Sequence, residues 1–220
     1  MQVVILAALL PEARAIARAF RLSGAGGFSG GFIQSQAVRV ALIGPAARKF
    51  PVIERGQTRG VIMAGLAGAL APELQVGDVV IQGLVTRPEV FNTGVRAGKL
   101  ATARAIVSGP AEKAALFRET GALAVDMETS RAEVWARDLG VPFVAVRAIS
   151  DTALERLDPA VLGFVDAEGR PKIARVLHHL AAHPTKLPDI LRLGRASKAA
   201  LSRLTVSLKA IVASGWPDDK

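Results

Sequence analysis

Short apolar runs rich in β-branched residues recur along the chain, and segments with helical spacing separate them. The first run is QVVILAA (2–8) and the last is VPFVAVRAIS (141–150). A strand that is apolar throughout is buried on both faces, and helices that alternate with such strands cover a largely parallel sheet. The pattern therefore predicts an α/β fold in one domain, in which helices flank a central, mostly parallel, mixed and twisted sheet. The other predicted strands are 37–44, 60–70, 77–85, 104–109 and 121–126, and the predicted helices are 12–20, 111–120, 127–139 and a region after 158.

The composition is sufficient for a large hydrophobic core without disulfide bonds. Half of the 220 residues are hydrophobic and none is cysteine, so neither a disulfide framework nor a thiolate metal site is expected. The start, MQVVILAALLPEARAI, has neither the basic leader nor the cleavage site of a signal peptide. Pro11 and Glu12 interrupt its apolar run, which is too short to span a bilayer. These features favour a cytoplasmic protein.

The net charge of +9 is concentrated near the C-terminus. Residues 170–220 hold ten Lys and Arg against three Asp and Glu, whereas residues 1–169 hold 18 against 16. A uniformly basic surface would favour nucleic acid, but a basic segment beside a near-neutral domain favours a local anionic partner such as a membrane surface. We therefore expect no nucleic-acid partner, and we divide the chain into a domain over 1–169 and a basic helical extension over 170–220.

Residues 187–212 predict one long amphipathic helix with period 3–4. Two explanations of its apolar stripe stay open. The stripe packs on its own domain or at a dimer interface, or the helix lies in a membrane interface with its basic side chains near anionic headgroups. The stripe consists of Ile190, Leu193, Leu201, Leu204, Leu208 and Ile211, and the basic side chains are Arg192, Arg195, Lys198, Arg203 and Lys209.

Two further motifs resemble ligand sites only weakly. SGAGGFSGG (23–31) has the glycines of a dinucleotide fingerprint, but it follows a predicted helix instead of a strand, which favours a plain turn. His179 and His183 have the i, i+4 spacing of metal ligands, with no acidic neighbour or third ligand close in sequence. We therefore expect no metal and no cofactor.

Carboxylates follow several predicted strands at the point where each strand ends. Glu12 follows the first strand, Asp126 and Glu128 flank Met127 after another, and Asp151 ends VPFVAVRAISD. Any one of these acids could simply stabilise a helix N-terminus, but in open α/β sheets ligands bind at this edge. Ionised carboxylates hold a sugar diol and stabilise a cationic sugar carbon, and a protonated one serves a leaving group. Together they favour cleavage at a sugar carbon.

The stretch VDMETSRAEVWARDLGVPFVAVRAISD (125–151) resembles the signature of the superfamily of nucleoside phosphorylases and methylthioadenosine/adenosylhomocysteine nucleosidases. AALLPEARAI, GLAGALAPELQVGDVVI (65–81) and IVSG (106–109) are similar to other elements of that superfamily, in the same order. The resemblance implies that residues 1–169 form a nucleoside phosphorylase-like catalytic domain. It also implies an adenine-containing nucleoside as substrate, no cofactor, and a homodimer.

The resemblance implies a role for each matching residue. Met127 would lie against the ribose, Glu128 would hold its 2′- and 3′-hydroxyls, and Asp151 would protonate purine N7. Glu12 would orient an attacking water as in nucleosidases, whereas phosphorylases use phosphate as a co-substrate. The other implied substrate contacts are Val125, Asp126, Phe143, Ser150 and the glycine turn with Gly65, Ala67 and Gly68.

The chain departs from the superfamily pattern at several places. Leu66 stands where relatives often carry a hydroxyl, so one polar contact to the nucleophile is lost. Pro110 replaces a typical Asp, and the short segment 85–106 indicates a trimmed loop on the 5′ side of the ribose, which suits a bulky 5′ substituent. Arg48 and Lys49 are candidate phosphate ligands, although such residues more often form a solvated face.

PAEKAALFRETGALAVDMET, FVDAEGRPK and HPTKLPDILRLGRASKAAL are together most similar to the hopanoid-associated phosphorylase branch. This resemblance implies removal of adenine from adenosylhopane in hopanoid biosynthesis, by an enzyme that lies peripherally on the inner membrane face through its basic helix. Two alternatives stay open. One is a methylthioadenosine/adenosylhomocysteine nucleosidase of nucleoside salvage, and the other is an inactive module that binds a nucleoside or a membrane.

Overall fold

The computed structural model describes residues 1–22, 32–34, 37–83, 85, 90 and 94–217, and the glycine-rich stretch 23–31 lies outside them. The described part contains one nine-stranded sheet. Its strands are β1 (Gln2–Ala7), β2 (Phe32–Gln34), β3 (Val38–Leu42), β4 (Thr58–Ala69), β5 (Val79–Gln82), β6 (Val95–Ala97), β7 (Leu100–Thr102), β8 (Ala124–Asp126) and β9 (Phe143–Asp151).

Five strand pairs of this sheet are parallel and three are antiparallel. The strands follow the order β2-β3-β1-β4-β9-β5-β6, and β8 pairs with both β4 and β7. The central neighbours β1, β4 and β9 run parallel, so their carboxyl ends meet at one edge. The predicted α/β class with a mixed, mostly parallel sheet is confirmed.

Both faces of the sheet are covered. Along β1, Val3 and Ile5 belong to one buried cluster, whereas Val4 and Leu6 belong to the other. This alternation is the period of two that a strand imposes on its side chains. It explains why the strand is apolar throughout.

Helices and short 3₁₀ segments connect the strands. The helices are α1 (Leu10–Ala19), α2 (Pro110–Thr120), α3 (Thr129–Asp138), α4 (Ile173–Ala182) and α5 (Leu187–Ala213), and the 3₁₀ segments are Arg55–Gln57, Pro159–Phe164 and Pro184–Lys186.

The predicted strand over 104–109 is wrong. This segment is irregular, and a strand forms just before it as β7. Ile106 and Val107 face a cavity instead of the sheet, and Gly109 and Pro110 begin α2. Apolar residues that line a cavity therefore imitate the composition of a buried strand.

The C-terminal helix α5 confirms the predicted amphipathic helix, and its two halves differ. Leu204, Leu208 and Ile211 are fully buried in the cluster that covers β9 and β5. The second half therefore packs on its own domain, and these side chains are unavailable to a membrane. In the first half, Leu187 and Leu191 are nearly half exposed. Within the described residues, no helix combines the length and apolarity needed to cross a bilayer.

Candidate active site

A cavity of about 270 Å³ opens at the edge of the sheet where β1, β4 and β9 end. β8 also lies at this edge, because Val125 and Ala124 pair with Gly68 and Ala69, the last residues of β4. Nine of the eleven residues predicted for the site line this cavity, so residues from three strands and the first turn of α1 are brought together. These nine are Glu12, Ala67, Gly68, Val125, Asp126, Met127, Glu128, Ser150 and Asp151.

Glu12 sits in the first turn of α1, directly after β1. Its Oε2 accepts a hydrogen bond from the Leu9 N–H at 2.9 Å, and its Oε1 accepts one from the Leu66 N–H at 2.8 Å. The side chain is buried, and burial raises the pKa of Glu12 to about 7, although Arg147 and the two N–H groups oppose this rise. A carboxyl group with this pKa gains and loses a proton readily at neutral pH, which suits a general base.

Arg147, in the middle of β9, ties two of the carboxylates together. Its fully buried guanidinium forms an ion pair with Asp126 and lies 3.3 Å from Glu128 Oε2. Asp126 also accepts hydrogen bonds from the Thr102 hydroxyl at 3.0 Å and the Thr129 N–H at 3.2 Å. The oxygens of Asp126 are therefore engaged within the protein. Asp126 anchors Arg147, and Arg147 orients Glu128.

Glu128 lies between β8 and α3, where the chain turns from strand to helix. Its Oε1 accepts a hydrogen bond from the Ala46 N–H at 2.9 Å, and Ala46 donates from a left-handed backbone conformation with φ of 58°. Burial raises the pKa of Glu128, while the guanidinium of Arg147 opposes that rise. The carboxylate is thus fixed at the cavity surface, where it can accept hydrogen bonds from a vicinal diol.

Asp151 ends β9, the strand that pairs with β4, and lines the cavity. Its Oδ2 accepts a hydrogen bond from Lys113 Nζ at 2.5 Å, and its Oδ1 accepts one from the Ser150 hydroxyl at 2.8 Å. Asp151 is 3% exposed and the Lys113 side chain is fully buried. The carboxylate is therefore held in one orientation beside the cavity.

Two glycines of β4 make room for these groups. A Cβ at Gly65 would lie 2.5 Å from Arg147 Nη1 and 2.7 Å from Glu12 Oε1, and a Cβ at Gly68 would lie 3.0 Å from Asp151 Oδ2. Gly68 lines the cavity, but Gly65 lies behind it. Gly65, predicted as a substrate contact, instead lets Arg147 and Glu12 approach the strand.

Phe143, also predicted to line the base or sugar pocket, lies outside this cavity. It is the first residue of β9 and pairs with Val61, near the start of β4. Since Asp151 lies eight residues further along the strand and a strand rises about 3.3 Å per residue, Phe143 is about 26 Å away from Asp151. It packs in the core cluster that also contains Val141.

Apolar side chains form another part of the cavity surface. They come from the irregular segment before α2, from the 3₁₀ segment Pro159–Phe164 with its flanks, and from the first half of α5. We call these residues the apolar wall: Ala105, Ile106, Val107, Leu157, Val161, Val165 and Leu193.

Basic side chains are absent from the cavity lining in the described part of the chain. Among the described residues that line the cavity, none is Lys, Arg or His, and Arg48 and Lys49, the candidate phosphate ligands, are exposed elsewhere. The rings of His179 and His183 are tilted by 55° with their centroids 5.0 Å apart, and the described part of the chain holds no cluster of three metal-binding side chains. The described cavity surface therefore has an acidic part and an apolar part.

Sequence reasoning missed two of the groups that shape this site, Arg147 and Lys113. The signal for Arg147 is a charged residue inside an otherwise apolar strand, which must find a buried partner. Lys113 carries no comparable signal, because it lies within an ordinary charged helix pattern. The backbone N–H groups of Leu66 and Ala46 are invisible to side-chain patterns.

Comparisons with known sequences identify relatives of the chain. The family model described as "Phosphorylase superfamily" matches residues 84–182. Futalosine hydrolase of Streptomyces coelicolor is 31% identical over 163 residues, which cover 56% of this chain and 68% of that relative.

Solved structures share the whole architecture at low sequence identity. The 5′-methylthioadenosine/S-adenosylhomocysteine nucleosidase of Helicobacter pylori superposes with a TM-score of 0.69 at 17% identity, over 97% of this chain and 98% of that one. Futalosine hydrolase of the same organism gives 0.67 at 18% identity, also over 97% and 98%. The Colwellia psychrerythraea nucleosidase solved with adenine gives 0.64 at 16% identity, over 97% and 95%.

Proposed function

Since this chain belongs to the phosphorylase superfamily and is a nucleosidase, we propose that it hydrolyses the N-glycosidic bond of an adenosine with an apolar 5′ substituent. One observation carries the proposal. The cavity surface combines the carboxylates of Glu12, Glu128 and Asp151 with the apolar wall, and no Lys, Arg or His among the described residues lines it.

Glu128, Asp151 and Glu12 can each carry out a different step of the reaction. Glu128 holds the ribose hydroxyls beside Met127, and its negative charge stabilises the cationic sugar carbon of the transition state. Asp151 delivers a proton to the leaving purine, so the base departs as a neutral molecule. Glu12, with its pKa raised to about 7, accepts the proton of the attacking water.

Water suits this cavity better than phosphate as the acceptor. A phosphate dianion would lie beside Glu12, Glu128 and Asp151 with no cation at the cavity surface, judged on the described residues. Like charges at close range repel strongly in a buried site. Water carries no charge, and Glu12 offers it a hydrogen-bond acceptor.

The apolar wall supports an apolar group at the 5′ position. A hydrocarbon gains about 25 cal/mol for each Å² that it removes from water, whereas a charged amino-acid tail gains nothing from Val107, Val161 and Leu193. Adenosylhopane belongs to this substrate class, and the sequence resemblance points to it. We therefore propose removal of adenine from adenosylhopane in hopanoid biosynthesis.

The surface next to the wall supports contact with an anionic membrane. Ile173 and Leu177 of α4 are 64% and 62% exposed, and Leu191 of α5 is 49% exposed. Arg175 and Arg195 lie beside them in sequence and are also exposed. Exposed apolar side chains among basic ones are typical of a helix surface that binds anionic lipid.

Liposome co-sedimentation tests the membrane contact. Deleting α5 is unsuitable, because Leu204 and Leu208 of that helix belong to the core. We expect Leu177→Asp/Leu191→Asp to lose binding to vesicles with anionic lipid while remaining folded, and Val52→Asp, at a site 93% exposed and remote in sequence from α4 and α5, to retain it. Equal binding of the two variants would contradict the membrane proposal.

Chromatography of released adenine tests the reaction. We expect the wild-type enzyme to release adenine from adenosylhopane, or from 5′-deoxy-5′-alkyladenosines, at a rate that does not rise with phosphate. Methylthioadenosine and adenosylhomocysteine, tested in parallel, decide whether the enzyme instead serves nucleoside salvage. A rate that rises with phosphate, together with a sugar 1-phosphate product, would overturn hydrolysis.

Futalosine is a second candidate substrate, favoured by the 31% identity to a futalosine hydrolase. Turnover of futalosine above that of every 5′-alkyladenosine would assign the enzyme to that reaction. The predicted homodimer is tested by light scattering of the purified protein.

A further inference from the structure

Lys113 is fully buried and its ammonium group binds the carboxylate of Asp151. Resting on the hydrolysis proposed above, we propose that Lys113 is a positioning residue, which holds Asp151 and supplies the proton that Asp151 passes to the leaving base. Its three N–H groups reach Asp151 Oδ2 at 2.5 Å, the Thr152 carbonyl at 2.7 Å and the Glu155 carbonyl at 3.1 Å. Every donor of the ammonium group therefore has an acceptor.

Burial of this lysine has a cost that packing alone does not require. An ammonium group loses its hydration when it is fully buried, and an apolar side chain of similar length would fill the space without that loss. Among the described residues, Lys113 and Arg147 are the only Lys and Arg in the buried class, and both pair with acidic residues of the cavity. This placement connects Lys113 with the chemistry of the site.

The start of α2 fixes the position of Lys113. The Glu112 carboxylate accepts hydrogen bonds from the Ser108 N–H at 3.0 Å and from the Gly109 N–H at 3.2 Å. Ser108 in turn accepts a hydrogen bond on its carbonyl from the Leu157 N–H at 2.9 Å. The helix start and the chain after β9 are thus joined, so the ammonium group meets Asp151 in a preset geometry.

The charged groups around this pair are occupied elsewhere. The Glu112 carboxylate caps α2, with Arg156 near it. The Glu155 carboxylate accepts the Thr152 N–H at 2.8 Å and pairs with Arg192. Within the described residues, Asp151 is the carboxylate that forms an ion pair with Lys113.

The proton transfers that involve Lys113 and Asp151 balance over one turnover. When the C1′–N9 bond breaks, its electrons stay on the base, and Asp151 passes to N7 a proton taken from Lys113, which becomes a neutral amine. Water gives hydroxide to C1′ and its proton to Glu12. That proton leaves to solvent, and solvent returns one to Lys113. The sum is nucleoside plus water giving free base plus sugar.

The test compares two leaving groups in Lys113→Met. A purine needs a proton to leave, whereas 4-nitrophenolate leaves without one. We expect kcat on a 5′-alkyladenosine to fall about 100-fold, as for loss of general-acid assistance. KM for that substrate should change less than about 3-fold, and kcat on the matching 4-nitrophenyl riboside should fall less than about 5-fold. Lys209→Met, at an exposed position of α5, serves as the control and should leave both rates unchanged.

The pH profile gives a second readout. Without Lys113, Asp151 must take its proton from solvent, so the dependence of kcat on pH should differ between Lys113→Met and the wild type on the nucleoside but not on the 4-nitrophenyl riboside. An unchanged pH profile on the nucleoside, an equal loss on both substrates, or an unchanged rate on the nucleoside would overturn the role of Lys113.

A third measurement covers the case in which Lys113→Met does not fold. The double variant Lys113→Met/Asp151→Asn removes both charges, and its kcat should equal that of Asp151→Asn alone, because Lys113 acts through Asp151. A further loss of about 10-fold or more in the double variant would contradict the proposal. Failure of the wild-type enzyme on every purine nucleoside would instead reject the hydrolysis itself, and this outcome is seen before any variant is made.

Discussion

The acidic part and the apolar wall of the cavity come from different kinds of chain segment. The acidic part consists of Glu12, Glu128 and Asp151, which sit at the ends of strands or one turn beyond them, and Arg147 and Lys113 fix two of these groups from behind. The apolar wall comes from connecting segments and from α5. The sheet therefore sets the chemistry, while the connections set which substrate fits. Substitutions in the two parts should separate kcat from substrate preference.

Asp151→Asn should have the largest effect. The amide keeps the size of the side chain but cannot pass a proton to the base, so we expect kcat on a 5′-alkyladenosine to fall about 10³-fold. Asp138→Asn, at a position that is 69% exposed, is the matched control. Adenine release measured for both variants tests this prediction. A loss of less than 10-fold in Asp151→Asn would contradict the role of Asp151 as the proton donor.

Glu12→Gln should follow, with kcat lower by about 10²-fold. The wild-type rate should rise with pH through about 7, because the base must be ionised and burial raises the pKa of Glu12 to about 7. The variant should lose this acid limb. A pH profile of kcat from 5 to 9 measures both, and an acid limb that survives in Glu12→Gln would assign it to another group.

The same residue should make stability depend on pH. Its pKa is higher in the folded protein than the ordinary 4.5, so the folded state binds the proton more tightly, and the free energy of unfolding falls as pH rises from 4.5 to about 7. We expect the wild type to lose about 2 kcal/mol between pH 5 and pH 8, and Glu12→Gln to lose less. Urea unfolding at the two pH values tests this prediction. An equal loss of unfolding free energy in both proteins would show that another group causes the pH dependence.

Leu193→Ala should change substrate preference with little effect on the chemistry. Removing part of a half-buried side chain of the wall should lower kcat/KM for a 5′-alkyladenosine about 10-fold. Adenosine itself, whose 5′ group is a hydroxyl, should be affected less than about 2-fold. Leu191→Ala, on the same helix but exposed, is the control. Equal losses on both substrates would show that Leu193 does not contact the 5′ group.

The acidic part was predictable from sequence because its signals are local. A carboxylate directly after an apolar strand is visible in one short stretch, and parallel strands bring such residues to one edge. Parallel strands bring Glu12 and Asp151 to this edge, whereas Glu128 reaches it after β8, which runs antiparallel to β4. Phe143 shares a strand with Asp151, but it lies at the amino end of that strand, and the carboxyl end is the one at the cavity.

The apolar wall was not predictable, because its residues come from three segments that are distant in sequence. Ile106 and Val107 have the composition of a buried strand, and Leu193 has the spacing of an ordinary helix stripe. Leu204 and Leu208 share that stripe yet lie in the core. Which part of a stripe meets a cavity depends on tertiary packing, which no local pattern contains.

Turnover in ¹⁸O-labelled water with phosphate present tests the central claim most directly. If Glu12 and its neighbouring carboxylates direct water to the sugar carbon, mass spectrometry should find one ¹⁸O atom on C1′ of the sugar released with adenine, and no sugar phosphate. A sugar 1-phosphate without the label would contradict the account, since it would show that phosphate attacks despite the acidic cavity.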